Sequence, residues 1–206
     1  MPKQVDYETR RRHIAEAVCD LIERHGPEGA TLREVAEQAG VSMGAVQRCF
    51  ATKEEMLVFA LRHVTERITE HGKADIAASG TGQSAATLLT ATLRSITLVE
   101  AHQRRDAAIL AAFTAHAAAT PSLAAVLRQA HAQTRDLLVW LIRYGQQTRE
   151  FRADLDAQQA ADTLLPLTEG LTALALVGHH GAAPAHTTLT RHLNTLLTAR
   201  RPTMST

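Results

Sequence analysis

Between Thr31 and Lys53 the chain carries three helix-start signals so close together that the helices they open must be short and sharply turned. Thr31 followed by Glu34 is a capping box, and Thr52 followed by Glu55 is another. Ser42 lies between them as a third N-cap, with Val41 and Val46 placed for a hydrophobic staple. Helices are therefore predicted to begin at about residues 32, 43 and 53. Gly40 stands just past the last apolar residue of the first of them, where the left-handed turn favours glycine, and Ser42 reopens the chain two residues later. This is the punctuation of a helix-turn-helix.

Spacing separates an inner from an outer face. Leu32, Val35, Ala36 and Ala39 form one stripe, which Val46 and Phe50 continue on the second helix. The other side of the second helix carries Met43, Gly44, Gln47 and Arg48. Gln pairs with adenine, Arg with guanine or phosphate, and Met packs on a thymine methyl; Gly44 keeps the helix slim beside the sugar-phosphate wall. The helix starts at Ser42 and at Thr52-Lys53 present free amides and a positive dipole end to phosphates. The competing reading is a plain helical hairpin with Gln47 and Arg48 merely solvated. Three caps at this spacing, together with an apolar inner face, argue against it.

The stretch from 8 to 61 resembles the N-terminal domain of TetR/AcrR-family transcriptional regulators. The resemblance rests on Ile14, Ala17, Leu21, Gly26, Thr31, Arg33, Val35, Ala36, Gly40, Val41, Ser42, Gly44, Val46, Phe50, Lys53, Glu54 and Leu57. It implies DNA contacts at Arg33, Ser42, Met43, Gly44, Gln47, Thr52 and Lys53. Two positions depart from the family pattern: Gln47 stands where the family usually has Tyr, and Cys49 where it has His or Tyr. Gln still hydrogen-bonds, whereas Cys is a poor donor.

Charge alone would not reveal such a site. The net charge is +1, and residues 1–53 hold eight Lys or Arg against eight Asp or Glu. The one local cluster, Arg10, Arg11 and Arg12, is placed either to reach phosphates or to end as a solvated helix surface. A hydrophobic content of 45% over 206 residues supports a substantial core. The two cysteines, Cys19 and Cys49, and a polar first segment argue for a cytoplasmic protein. Cys49 lies near the C-terminal end of its helix, away from the positive dipole end that activates thiols, which weighs against a redox switch. The longest apolar stretch, Leu164 to Val177, contains Pro166 and Glu169 and falls short of the ~20 residues that span a bilayer.

Beyond Lys53 the pattern is helical throughout, giving an all-α chain of about nine helices. We expect a helix-turn-helix domain over 1–53 and a larger regulatory and dimerisation domain over 54–206. Met56, Phe59, Ala60, His63, Val64 and Ile68 mark a connecting helix over 53–71. A loop follows around Gly72, Ser79, Gly80, Gly82 and Ser84. Leu88 to Val99 and Asp106 to Ala119 are the next helices; Thr120 and Pro121 then open a long one that ends at Gly145. The connection from Glu150 to Asp156 again resembles the family, most closely the subgroup with the choline-responsive BetI-type repressors. The next helix, from Ala160 to Val177, is apolar on every side, which calls for burial on both faces, with Pro166 kinking or beginning it. Within the resemblance, the last two helices form a homodimer through Leu164, Leu167, Leu171, Leu174, Leu189, Leu193, Leu196 and Leu197.

A dimer would set two reading heads about 34 Å apart on the half-sites of a palindromic operator. By resemblance the protein is a repressor released from that operator by a small-molecule effector, with no cofactor and no enzymatic activity. Phe113, Trp140, Tyr144, His102 and His116 are the candidate effector contacts. Only 3% of residues are aromatic, which argues against a cation cage and favours a small aliphatic effector. The eleven histidines, with His179, His180, His186 and His192 near the C-terminus, open an alternative as a helical metal sensor. No Glu-x-x-His or His-Glu-x-x-His run supports it.

Overall fold

The computed structural model describes residues 2–78 and 84–197. The loop markers Ser79, Gly80 and Gly82 lie outside the described residues. Nine α-helices appear among them: α1 Pro2–His25, α2 Leu32–Gln38, α3 Met43–Cys49, α4 Lys53–Ala78, α5 Ala85–Ile96, α6 Arg104–Ala117, α7 Pro121–Gln147, α8 Ala157–Leu176 and α9 Ala182–Asn194. Among the described residues the only β-type pairing is one isolated antiparallel bridge, Phe151 with Leu197. The all-α reading holds, and no helix among the described residues is long and apolar enough to cross a membrane.

The chain divides into two compact units: Met1–Glu70 with Ala101–Ala130, and His71–Glu100 with His131–Thr206. The core of the first joins Ile14, Val18 and Ile22 of α1 to Val35 of α2, and to Val46 and Phe50 of α3 and its cap. It extends past residue 53, taking in Met56, Leu61 and Val64 of α4, Ile109 and Phe113 of α6, and Leu123 of α7. The short α2 and α3 cannot close a core alone, so these longer helices supply the remaining apolar wall.

The second unit packs Leu89 and Leu93 of α5, Leu138 and Ile142 of α7, Phe151, and Leu164 of α8 against Leu193 of α9 and Leu196 just beyond it. Two glycines act here by permitting close approach. α4 runs through Gly72 to Ala78 instead of stopping near residue 71, because Gly72 lies against α5: a Cβ there would stand 2.1 Å from Ser95 Oγ. α7 likewise continues past Gly145, whose Cβ would meet the buried Phe151 ring at 2.1 Å. The reversal instead comes four residues later at Arg149, which takes φ 63°. α5 ends at Ile96, short of Val99, which packs from the following loop against Leu171, Ala185 and Leu189.

Glu150, just beyond that reversal, is a cap borrowed from far along the chain. Its two carboxylate oxygens accept from the Ala85 and Ala86 amides at the start of α5, each at 3.0 Å. Burial pushes this carboxyl up, but the two amide bonds outweigh it and hold the group below its ordinary range. Glu150→Ala is expected to cost about 1 kcal/mol, the usual size of a lost helix cap, read as a lower urea midpoint with an unchanged slope.

α8 corrects the picture of a helix apolar all round. Leu164 and Leu171 are buried inside the chain's own core, while Gln158, Gln159, Asp162, Thr163 and Glu169 face outward. The helix passes through Pro166 without a break. Of the eight leucines expected at a dimer interface, Leu164, Leu171, Leu189, Leu193 and Leu196 are buried within the unit, and Leu167 and Leu197 pack partly against its cores. Only Leu174 is exposed, at 43%. An apolar period marks a buried face without telling which body covers it.

Candidate nucleic-acid interface

The local chemistry of residues 31–53 forms as its punctuation predicts. Thr31 makes a full capping box: its Oγ1 accepts from the Glu34 amide at 3.2 Å, and its own amide donates to Glu34 Oε2 at 3.2 Å. Gly40 takes φ 63°, which lets the Val41 amide reach Ala36 O at 3.0 Å and its own amide reach Glu37 O at 3.1 Å. That paired closure ends α2 with its last carbonyls satisfied. Ser42 Oγ then accepts from the Ala45 amide and opens α3. At Thr52 the box is displaced by one residue: Thr52 Oγ1 caps the Glu55 amide at 3.0 Å, but Glu55 Oε2 accepts from the Ala51 amide at 2.9 Å.

With Val46 and Phe50 buried, α3 turns Met43 outward, 47% exposed, together with Gln47 and Arg48. Gly44 lies on this face with Arg48 Nη1 3.7 Å from where its Cβ would be, an ordinary contact, so its smallness is not required by the chain's own packing. Arg33 is exposed on α2, as are Ser42 and Thr52 at their helix starts. Lys53 is held in place, its Nζ donating to Glu28 O at 3.1 Å. All eight expected contact residues therefore lie on α2 and α3 or at the starts of α3 and α4, within one unit.

Two neighbours take structural roles. Arg11 is not a free phosphate ligand: its guanidinium lies 4.6 Å from the Phe50 ring and 4.4 Å from the Phe59 ring, and it pairs with Glu55 at 3.1 Å. Cys49 is buried in the core, and its carbonyl accepts from the Tyr7 hydroxyl at 3.4 Å, so the family's DNA contact at that position has no counterpart. Neither pairing has a local sequence signal, since the partners are more than forty residues apart.

The expected effector contacts scatter. Phe113 is fully buried as core packing in the first unit, where His102 is exposed and His116 stands 3.7 Å from Glu28. In the second unit Trp140 is 58% exposed and stacks on Tyr144, ring centroids 5.7 Å apart. Among the described residues no group of three His, Cys, Asp or Glu side chains converges to hold a metal ion, which removes the support for the metal-sensing alternative.

Residues 14–58 match the family profile described as bacterial regulatory proteins, tetR family, and residues 85–198 match the one described as BetI-type transcriptional repressor, C-terminal. The chain belongs to the TetR family. This TetR-family chain is 28% identical over 202 residues to the HTH-type transcriptional regulator BetI of Escherichia coli O45:K1, covering 95% of this chain and 97% of that protein. It is 48% identical over 77 residues to the HTH-type transcriptional regulator PksA of Bacillus subtilis, a match that spans 37% of either protein. A crystal structure of a transcriptional regulator from Rhodococcus sp. Rha1 superposes with a TM-score of 0.76 at 29% identity, covering 90% of this chain and 95% of that one. The chain is thus a DNA-binding helix-turn-helix transcriptional regulator of the TetR family.

Proposed function

We propose that this protein is a homodimeric repressor that reads a palindromic operator with α3 in the major groove and leaves it when a small-molecule effector binds. The observation that carries the reading is the exposed row Met43, Gln47 and Arg48 on a helix whose opposite side is locked into the core. Gln47 and Arg48 are the base-edge or phosphate contacts, and Met43 supplies the apolar contact to thymine. Arg33, Ser42, Thr52 and Lys53 position the head on the backbone, and Gly44 lets it lie close to the duplex.

Twofold pairing would deliver two such heads to half-sites about 34 Å apart. Since the buried leucines of α8 and α9 serve the chain's own core, the surface left for pairing is the outward side of α8, where Pro166 and Leu174 are exposed, with Val177 exposed just after its end. An effector that favours a conformer with the wrong head spacing by a few kcal/mol is enough to empty the operator.

Footprinting the protein on the DNA flanking its own gene tests this. Two protected half-sites about one helical turn apart are expected, with Gln47→Ala weakening protection about tenfold or more. Lys53→Ala should weaken binding evenly across sequences and lower the salt slope by about one. Protection unchanged by both substitutions would remove α3 from the interface.

A further inference from the structure

We infer that a groove on the second unit, between Arg94 of α5 and the outer side of α9, binds a small organic phosphate monoester. The groove has a volume of about 500 Å³ and is lined by Arg94, His186, Thr187, Thr190, Arg191 and Asn194, with Ala183 at its edge. That volume lies within the usual range of small-molecule sites, about 300–1,000 Å³.

Two guanidiniums, those of Arg94 and Arg191, line this groove together. Arg67, Arg105, Arg135 and Arg152 each pair with an Asp or Glu. Arg94 and Arg191 have no carboxylate partner among the described residues, although both line the same cavity. Arg94 donates instead to His186 Nδ1 at 3.4 Å, which places the imidazole proton on Nε2. That nitrogen is buried without a hydrogen bond, and Glu100 Oε1 stands 3.6 Å away. Burial first, and then the Arg94 charge, push His186 below its ordinary value against the opposing pull of Glu100, so a neutral imidazole stands beside the Arg94 guanidinium.

A doubly charged phosphate answers this arrangement better than a carboxylate does. Its oxygens take forked bonds from both guanidiniums, and its second charge balances a third cation when His186 gains a proton. The Thr190 hydroxyl and the Asn194 amide add donors for a phosphate oxygen or for hydroxyls on the organic part. The remaining volume is larger than one ion needs, which is why an ester fits better than free phosphate.

The test uses the full chain labelled with 13C-histidine, the His186 signal being assigned by its loss in His186→Gln. At fixed ionic strength the protein is titrated with glycerol phosphate, inorganic phosphate, glycerol and acetate. Glycerol phosphate should move the His186 signal saturably toward the imidazolium form, at lower concentration than inorganic phosphate, with glycerol and acetate silent. Arg94→Ala combined with Arg191→Ala should weaken the effect about tenfold or more, as loss of charge-assisted bonds requires. Thr190→Glu, which places a carboxylate in the groove and leaves both arginines intact, should abolish it. A response that acetate reproduces, that follows chloride alone, or that survives both sets of variants overturns the proposal.

Discussion

Phe50→Ala is expected to destabilise the first unit by about 3–5 kcal/mol, the range for emptying a buried aromatic site. The side chain is 1% exposed at the end of α3, its ring 5.4 Å from that of Phe59, and the Arg11 guanidinium lies over both rings. Removing the ring opens a cavity and also takes away one face of the stack that holds Arg11 against Glu55. Gln47→Ala, three residues earlier on the same helix, supplies the contrast. An exposed position that gains a strong helix former should change stability by no more than about 0.5 kcal/mol. Urea unfolding therefore separates the two faces of α3, with Phe50→Ala shifting the midpoint and Gln47→Ala shifting only operator binding. A loss below about 1 kcal/mol for Phe50→Ala would mean that the cavity collapses and that the inner face is not closely packed.

The contrast also marks where sequence reasoning succeeds. Thr31, Gly40, Ser42 and Thr52 were legible because each satisfies backbone groups within a few residues of itself, so a cap can be read wherever it stands. Gly72 and Gly145 were not, because the groups that need their smallness, Ser95 and Phe151, come from elsewhere in the chain. Arg11 shows the same limit: a run of three arginines suggests a phosphate site, and only Phe50, Phe59 and Glu55 reveal that its middle member is structural. Trp140 and Phe113 carry equal apolar character in the sequence, yet one is exposed and the other sealed. The reading head was thus visible from its caps. The second unit's groove was not, since Arg94 and His186 are 92 residues apart.

Arg67→Met is expected to be the most costly single change among the charged residues. Arg67 on α4 donates from Nη1 to Glu16 of α1 at 2.6 Å and from Nη2 to Asp106 of α6 at 2.5 Å. His63 adds a 2.6 Å contact to the same Glu16 oxygen, and Arg105 pairs with Asp20 and Glu23 one and two turns further along α1. The acidic side of α1 is therefore held by bases from α4 and α6. The Arg67 and Asp106 side chains are only 17% and 12% exposed, so losing the guanidinium takes the α4 charge partner away from Asp106 in a poorly hydrated site. A cost of about 3 kcal/mol follows, at the low end for a broken buried pair because Glu16, 41% exposed, can still hydrate. Arg67→Met with Asp106→Leu should recover most of it, since an apolar pair replaces the ionic one. Acidification provides a separate check. Burial raises the Glu16 carboxyl, but the bonds from His63 and Arg67 outweigh it and hold the group below its ordinary value. Its contribution is thus present above about pH 4.3 and is lost as pH falls through the lower folded value. In Arg67→Met that acid limb should flatten. Equal slopes for both proteins below about pH 4.3 would show that Arg67 does not make the folded Glu16 carboxyl more acidic.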